Sequence, residues 1–223
     1  MKDITALKGR YYIEDLVSQG EHEQQDFKFT ISDARKIARS ISAFANKGGG
    51  RLLIGVSDTG VLAGVRNEED IYVVEQAAAS YCRPAQQVEF TAFNVGGGTL
   101  IIRATIAAAD RRPVFAQDTD RKWKAYYRVA DENIVAHPLM IKSWQRREAP
   151  DGDATVFSLS SVESNLLRFL DASPEPVTPR DIALALHISA SATDELIIRL
   201  AAIGIIEFCY AGKSEFRIVR SKD

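Results

Sequence analysis

The chain has 223 residues, 28 Lys and Arg against 30 Asp and Glu, and a hydrophobic fraction of 46%. That suits a folded chain of one large or two small domains, and no run approaches the ~20 apolar residues a membrane-spanning helix needs. Two cysteines, Cys82 and Cys209, with no further Cys or His at ligand spacing, exclude a disulfide framework and a zinc site and read as core thiols.

The opening MKDITALKGRYYIEDL interleaves charges where a signal peptide carries an apolar block, so the expected location is the cytoplasm. Residues 1–147 carry 21 Lys and Arg against 18 Asp and Glu, whereas residues 155–223 carry 7 against 9. Attraction to nucleic acid is therefore expected in the first part, where the excess is a weak bias rather than a basic footprint.

In chain order, IEDLVSQ (13–19) reads as a short helix and QQDFKFT (24–30) alternates like a strand. Ser32 is positioned to cap a helix in which Ala34, Ile37, Ala38, Ile41 and Ala45 recur at helical spacing. After Gly48–Gly50 come a strand over RLLIGVSD (51–58), a turn at Thr59-Gly60 and a short strand over VLAGV (61–65). A helix over 68–82 and strands over 87–95, 98–107 and 124–131 follow. An early helix between strands, then strands in hairpin order, predicts an α+β domain with a mixed sheet rather than a doubly wound one.

EAPDGDATVFSLS (148–160) collects Pro, Gly, Asp and Ser and marks a boundary. The expected organisation is a first domain over 1–147, a linker over 148–158 and a second domain over 159–223. The second holds three helical patterns, 160–172, 178–188 and 191–204, with Thr178 as a cap and Pro179 in the first turn. A hairpin over 205–220, turning at AGKS (211–214), completes the pattern of a winged helix-turn-helix.

The glycine run poses the first functional question. A phosphate-binding P-loop needs G-x-x-x-x-G-K-[ST], and a dinucleotide fingerprint leads into a helix. Gly48–Gly50 have no such Lys and lead into a strand, so they read as a tight helix-to-strand reversal. The strand then delivers Asp58 to its far end, beside a turn. Asn46, just before the glycines, reads as a cap or loop hydrogen-bonding residue.

Upstream, alternation puts Asp26, Lys28 and Thr30 on one face of a strand and Gln25, Phe27 and Phe29 on the other. Phe27 and Phe29 belong to a core, so Asp26 and Lys28 are expected to face away from it, with Glu21 able to fold back toward them. Carboxylates and a lysine so grouped suit metal-assisted phosphodiester hydrolysis. An Asp and a Lys two apart on a strand face are more often a solvated ion pair.

Glu21, Asp26-Phe27-Lys28, AFANKGGGRLLIGVSDTG (43–60), Gly64, Pro113-Val114-Phe115 and Tyr126-Tyr127-Arg128-Val129 together closely resemble the Schlafen AlbA-like domain family, once labelled a divergent ATP-binding family. The resemblance covers about residues 10–147. It implies an α+β domain that binds DNA or RNA in a bacterial protein, and the added winged helix suggests transcriptional regulation. It also implies an alternative, a metal-dependent ribonuclease. In vertebrate Schlafens two Glu and an Asp form the RNA-cleaving site, and these map by motif onto Glu21, Asp26 and Asp58, with Lys28 beside them and Mg²⁺ or Mn²⁺ as the cation. The nuclease members carry Glu where this chain has Asp26, one methylene shorter. The old label adds a third option, a nucleotide-binding module. Such domains often work as paired lobes and this chain has one, so a homodimer is expected.

The expected phosphate contacts are Arg35 and Arg39, then Arg111 and Arg112, then Arg121, Lys122 and Lys124, with Trp123 available to stack on a base. In the second domain the third helix has Arg199 as its one basic residue among Asp194 and Glu195, a poor DNA face. The hairpin offers Lys213, Arg217, Arg220 and Lys222, with Glu215 among them.

Overall fold

Leu52, Leu53 and Ile54 are consecutive and all fully buried, which in a strand requires cover on both faces. The computed structural model, which describes residues 5–66, 69–147, 159–212 and 215–221, supplies it. The chain divides into two compact units. One comprises the chain up to Asp110 together with Val114–Val135, the other Arg111–Pro113 and the chain from Ala136 on.

In the first unit the elements run β1 (Leu7–Lys8), α1 (Arg10–Ser18), β2 (Gln25–Lys28), α2 (Ala34–Lys47), β3 (Gly50–Ile54), α3 (Glu69–Ser80), β4 (Cys82–Arg83), β5 (Val88–Asn94), β6 (Leu100–Ile106), β7 (Phe115–Gln117), β8 (Trp123–Val129) and β9 (Glu132–Val135). A five-stranded mixed sheet has the order β1-β5-β6-β3-β2, and a four-stranded antiparallel sheet the order β4-β7-β8-β9.

Helix α2 organises both sheets. Ile37, Ala38, Ser40, Ile41, Ser42, Ala43, Phe44, Ala45 and Asn46 are buried around its whole circumference, as in a helix packed on every side. Its core neighbours come from the five-stranded sheet through Leu52, Ile54, Ile102 and Ala104, and from the four-stranded sheet through Ala116 and Tyr126. The three fully buried polar residues of this helix, Ser40, Ser42 and Asn46, are hydrogen-bonded, as burial demands. Ser42 donates to the Val114 carbonyl (2.7 Å) and accepts the Tyr126 N–H (3.0 Å). Asn46 donates to the Val114 and Tyr126 carbonyls (both 2.9 Å) and accepts the Val114 N–H (2.8 Å). On the other face of the five-stranded sheet, Ile13 and Leu16 of α1 cover Phe27, Leu53, Phe93 and Ile101.

Local details differ from the sequence reading. Asp33 rather than Ser32 caps α2, accepting from the N–H groups of Arg35 and Lys36. β2 stops at Lys28, so Phe29, expected in a core, is 42% exposed and lies under the Arg66 guanidinium. VLAGV contributes a single bridge, Val56 to Leu62. Gly55, at φ +94, turns the chain there, and a side chain at this position would meet the backbone of Gly64 and Val65.

The second unit contains α4 (Pro138–Arg147), α5 (Ser161–Ala172), α6 (Pro179–Leu186), α7 (Ala190–Ala202) and the antiparallel pair β10 (Ile206–Ala211) and β11 (Glu215–Arg220). Helix α4, within the span assigned to the first domain from sequence, belongs to this unit, where it packs on α7. Capping boxes at Ser160/Glu163 and Thr178/Asp181 start α5 and α6, with Pro179 in the first turn of α6. The expected linker 148–158 and the hairpin-tip residues Lys213 and Ser214 lie outside the described residues. Among the described residues no helix is long and apolar enough to cross a membrane.

Candidate functional site

Asp26 is in register with Leu52 and so faces α2, not solvent. It is 4% exposed, and both its oxygens are engaged. Oδ1 lies 3.4 Å from Arg128 Nη2, and Oδ2 lies 2.8 Å from Lys28 Nζ and 3.4 Å from Ser40 Oγ. Arg128, on β8 and 1% exposed, also donates to the Gln25 carbonyl (3.2 Å) and Asn133 Oδ1 (3.0 Å) and lies over the Phe44 ring. A buried ion pair thus joins the two sheets past α2. Glu21 Oε1 accepts the Phe27 N–H at 2.7 Å, which brings it beside Asp26. Burial and a hydrogen bond to Asp26 push the Glu21 carboxyl up. Burial alone would raise Asp26 too, but hydrogen bonding from Glu21 and the charges of Lys28 and Arg128 hold it below its ordinary value. Of the two carboxyls, Glu21 therefore holds a proton to the higher pH.

Asp58 is not part of this group. The β2–β3 register ends with Lys28 opposite Ile54, and Asp58 sits four residues further on, exposed, in the turn after Gly55. Among the described residues no cluster of three or more His, Cys, Asp or Glu is arranged to hold a metal ion. The donors do not fit Mg²⁺ or Mn²⁺, which need carboxylate oxygens free to converge on one point. The structure brings Glu21, Asp26 and Lys28 together and keeps Asp58 apart.

The glycine run is a turn. The N–H groups of Gly48 and Gly49 both donate to the Phe44 carbonyl, at 3.2 and 2.8 Å, closing the end of α2. Gly49, at φ +85, passes so close to β6 that a Cβ would stand 2.9 Å from the Ile106 carbonyl. These two amides are therefore committed and do not face a phosphate.

The seven cations named from sequence are divided between the two units. Arg111 and Arg112 fall in the second unit, where Arg112 lies over the Trp144 ring. Arg39 and Lys124 (2.6 Å) both pair with Asp118, which also accepts from the Tyr126 hydroxyl (2.7 Å) and the Thr119 N–H (2.7 Å). Burial opposes ionisation of Asp118, but these donors hold its carboxyl well below the usual range. Tyr126 is pushed up to about 12 by burial and its bond to Asp118. Arg35 stacks on Tyr81, 4.6 Å from the ring centroid. Arg121 and Lys122 are exposed in the turn that enters β8. Trp123 follows on the face of β8 turned away from α2, and the exposed Arg83 lies 4.0 Å over its ring.

Sequence reasoning missed Arg83, Asp118 and Arg128 as partners. Arg83 is forty positions from Trp123 and reaches it because β4 pairs with β7 and β7 with β8. In the second unit, Arg199 pairs with Glu163 at 2.5 Å, Arg217 with Glu215 at 2.6 Å, and Arg220 with Asp171. Lys213 and Lys222 lie outside the described residues.

A helix buried between a mixed and an antiparallel sheet, with a caged Asp–Arg pair at its flank, defines an α+β domain. The family described as Schlafen, AlbA_2 matches residues 21–137, more than half of the chain, and the chain belongs to it. The match ends two residues past the last strand of the first unit. None of the curated proteins matches the chain. Among solved structures it is similar to the DIP2311 protein of Corynebacterium diphtheriae, at 22% identity and a TM-score of 0.43, over 67% of this chain and 29% of that one. It is also similar to the N-terminal domain of a RecG-related protein of Nitrosomonas europaea, at 18% identity and a TM-score of 0.38, over 59% of this chain and 97% of that one. The chain thus spans less than a third of the first of these proteins.

Proposed function

We propose that the first unit binds nucleic acid, DNA or RNA, at the outer face of the four-stranded sheet. The observation that carries this reading is the Arg83–Trp123 stack beside the exposed Arg121 and Lys122. An indole ring backed by a guanidinium is a platform for a base, and flanking cations displace counterions from phosphates. Family membership supports the same reading. Arg39 and Lys124, already paired with Asp118 and, for Lys124, with Asp120, shape this surface rather than supply its charge.

Helices α5, α6 and α7 and the β10–β11 hairpin of the second unit support a winged-helix reading and with it a regulatory role. Its Arg199, Arg217 and Arg220 are each paired with an acid, so the first unit is expected to carry most of the affinity. A homodimeric working unit belongs to the same proposal. The test is fluorescence anisotropy of labelled RNA and DNA across salt, for wild type and Arg83→Ala/Arg121→Ala/Lys122→Ala. Each lost phosphate contact should reduce the salt slope by about 0.7–0.9, and affinity at low salt should fall by roughly tenfold or more. Unchanged affinity and slope would remove this surface from the account, and a monomer mass by light scattering on the same samples would reject the dimer.

A further inference from the structure

The face of the five-stranded sheet opposite α2 is apolar at one end and polar at the other. Phe93, Ile101 and Leu53 lie under α1. On the same face Leu53 is in register with Arg103, Arg103 with Thr91, and Arg51 with Thr105, while Glu89 opposes Thr105 from the other side. Arg51 and Arg103 are therefore diagonal neighbours, with Cα atoms about 7 Å apart.

Neither guanidinium has a carboxylate partner among the described residues. Arg51 donates from Nε to Gln25 Oε1 at 2.7 Å and from Nη2 to Gln19 Oε1 at 3.3 Å. Arg103 donates to the Tyr12 hydroxyl and to Thr91 Oγ1 at 3.3 Å, and its Nε is buried without a hydrogen-bond partner. Each arginine has five N–H donors, so both retain some for a ligand. They line an open cavity of about 370 Å³ bordered by Gly48–Gly50, Ala107 and Ala108, with Thr105 and Glu89 also in its lining. The glycines contribute room rather than amides, because Gly48 and Gly49 already donate to Phe44.

We propose that Arg51 and Arg103 together hold a phosphate group in this cavity, from either a free nucleotide or a nucleic-acid strand. Two forked guanidiniums on neutral acceptors are suited to phosphate oxygens, because no internal acid competes for them. The volume is at the small end of ligand pockets, roughly 300–1,000 Å³. Glu89 repels a second phosphate and can accept from a sugar hydroxyl or base amine, so the geometry favours one nucleoside monophosphate unit over a triphosphate.

The site shares no residue with the Arg83–Trp123 surface, and its test separates the two. Calorimetric titrations use the full chain with AMP, adenosine and a short 5′-phosphorylated oligonucleotide, for wild type, Arg103→Gln and Thr105→Asp. The last keeps both arginines and brings a carboxylate between them. AMP should bind while adenosine does not, and each variant, folded by circular dichroism, should weaken AMP at least tenfold. Arg83→Ala/Arg121→Ala/Lys122→Ala should leave AMP binding unchanged. Displacement of AMP by the oligonucleotide identifies a nucleic-acid phosphate as the ligand, and its failure to displace identifies a free nucleotide. If only the oligonucleotide binds, its affinity must fall in Arg103→Gln and Thr105→Asp. Absence of binding by either phosphate compound, or binding that survives both variants, would overturn the proposal.

Discussion

Asp26→Ala would leave the Arg128 guanidinium buried without its carboxylate. Removing one member of a buried ion pair costs about 3–5 kcal/mol, most of it from the uncompensated charge left behind. Here the lower end applies. Arg128 keeps the Gln25 carbonyl and Asn133 as acceptors, and Lys28, which is only part-buried, can turn to water. About 3 kcal/mol is expected, and with roughly 4 °C per kcal/mol for a domain of this size Tm should fall by about 12 °C. Arg128→Met should cost a similar amount, because it leaves Asp26 buried with Lys28 as its sole cation. The double variant Asp26→Ala/Arg128→Met buries neither charge, so its loss should be close to that of one single variant, a coupling of about 2–3 kcal/mol. Trp123 reports on the first unit, so urea unfolding followed by its fluorescence in a Trp144→Phe background isolates the effect, with midpoints compared at constant slope. A loss below about 1 kcal/mol for Asp26→Ala, or additive single losses, would show that this carboxylate is not committed to Arg128 and is free for other chemistry.

Asn46→Ala removes three hydrogen bonds to buried backbone groups at Val114 and Tyr126, of which the Val114 carbonyl keeps Ser42, and should cost about 3 kcal/mol. The Val114 amide should exchange with solvent faster while the Tyr126 amide, bonded to Ser42, does not, and unchanged exchange at Val114 would sink the prediction. Acid should weaken the first unit through Asp118. Its folded pKa is depressed, so its contribution is complete above the ordinary carboxylate value of about 3.9 and is lost as pH falls toward the folded value. Asp118→Asn should therefore flatten the dependence of the urea midpoint on pH below about 5, and equal slopes for the two chains would contradict the assignment.

The features legible in the sequence are those written in local periodicity. Helix α2, strands β5, β6 and β8, helices α5, α6 and α7 and the glycine reversal all follow from spacing within a dozen residues. Strands β1, β4 and β7, at two or three residues each, have no period to read and exist only through pairing with distant partners. The acid site shows the same limit. Alternation correctly puts Asp26 and Lys28 opposite Phe27, but the inference that they face away from a core assumes one core. The sheet has two, because α2 and the second sheet cover the face that Asp26 occupies. A side chain expected to be solvated is therefore buried, and its partner, Arg128, stands about a hundred residues along the chain.

Cation pairing, rather than cation count, is what selects the anion-binding surfaces. By count, the turn into β8, the start of α2 and the hairpin of the second unit look alike. Once partners are assigned, Arg39 and Lys124 share Asp118, with Asp120 also on Lys124, Lys28 and Arg128 share Asp26, and Arg199, Arg217 and Arg220 each have an acid. Among the described residues, Arg83, Arg121 and Lys122 around Trp123 and the Arg51–Arg103 pair are cations with no such acid. A paired cation must break an existing charge–charge contact before it meets a phosphate, whereas an unpaired one gives up only water and neutral acceptors. The same pairing bears on the acids. A carboxylate already committed to a buried arginine offers little to a metal ion, and here the Asp26–Arg128 pair ties two sheets together around α2.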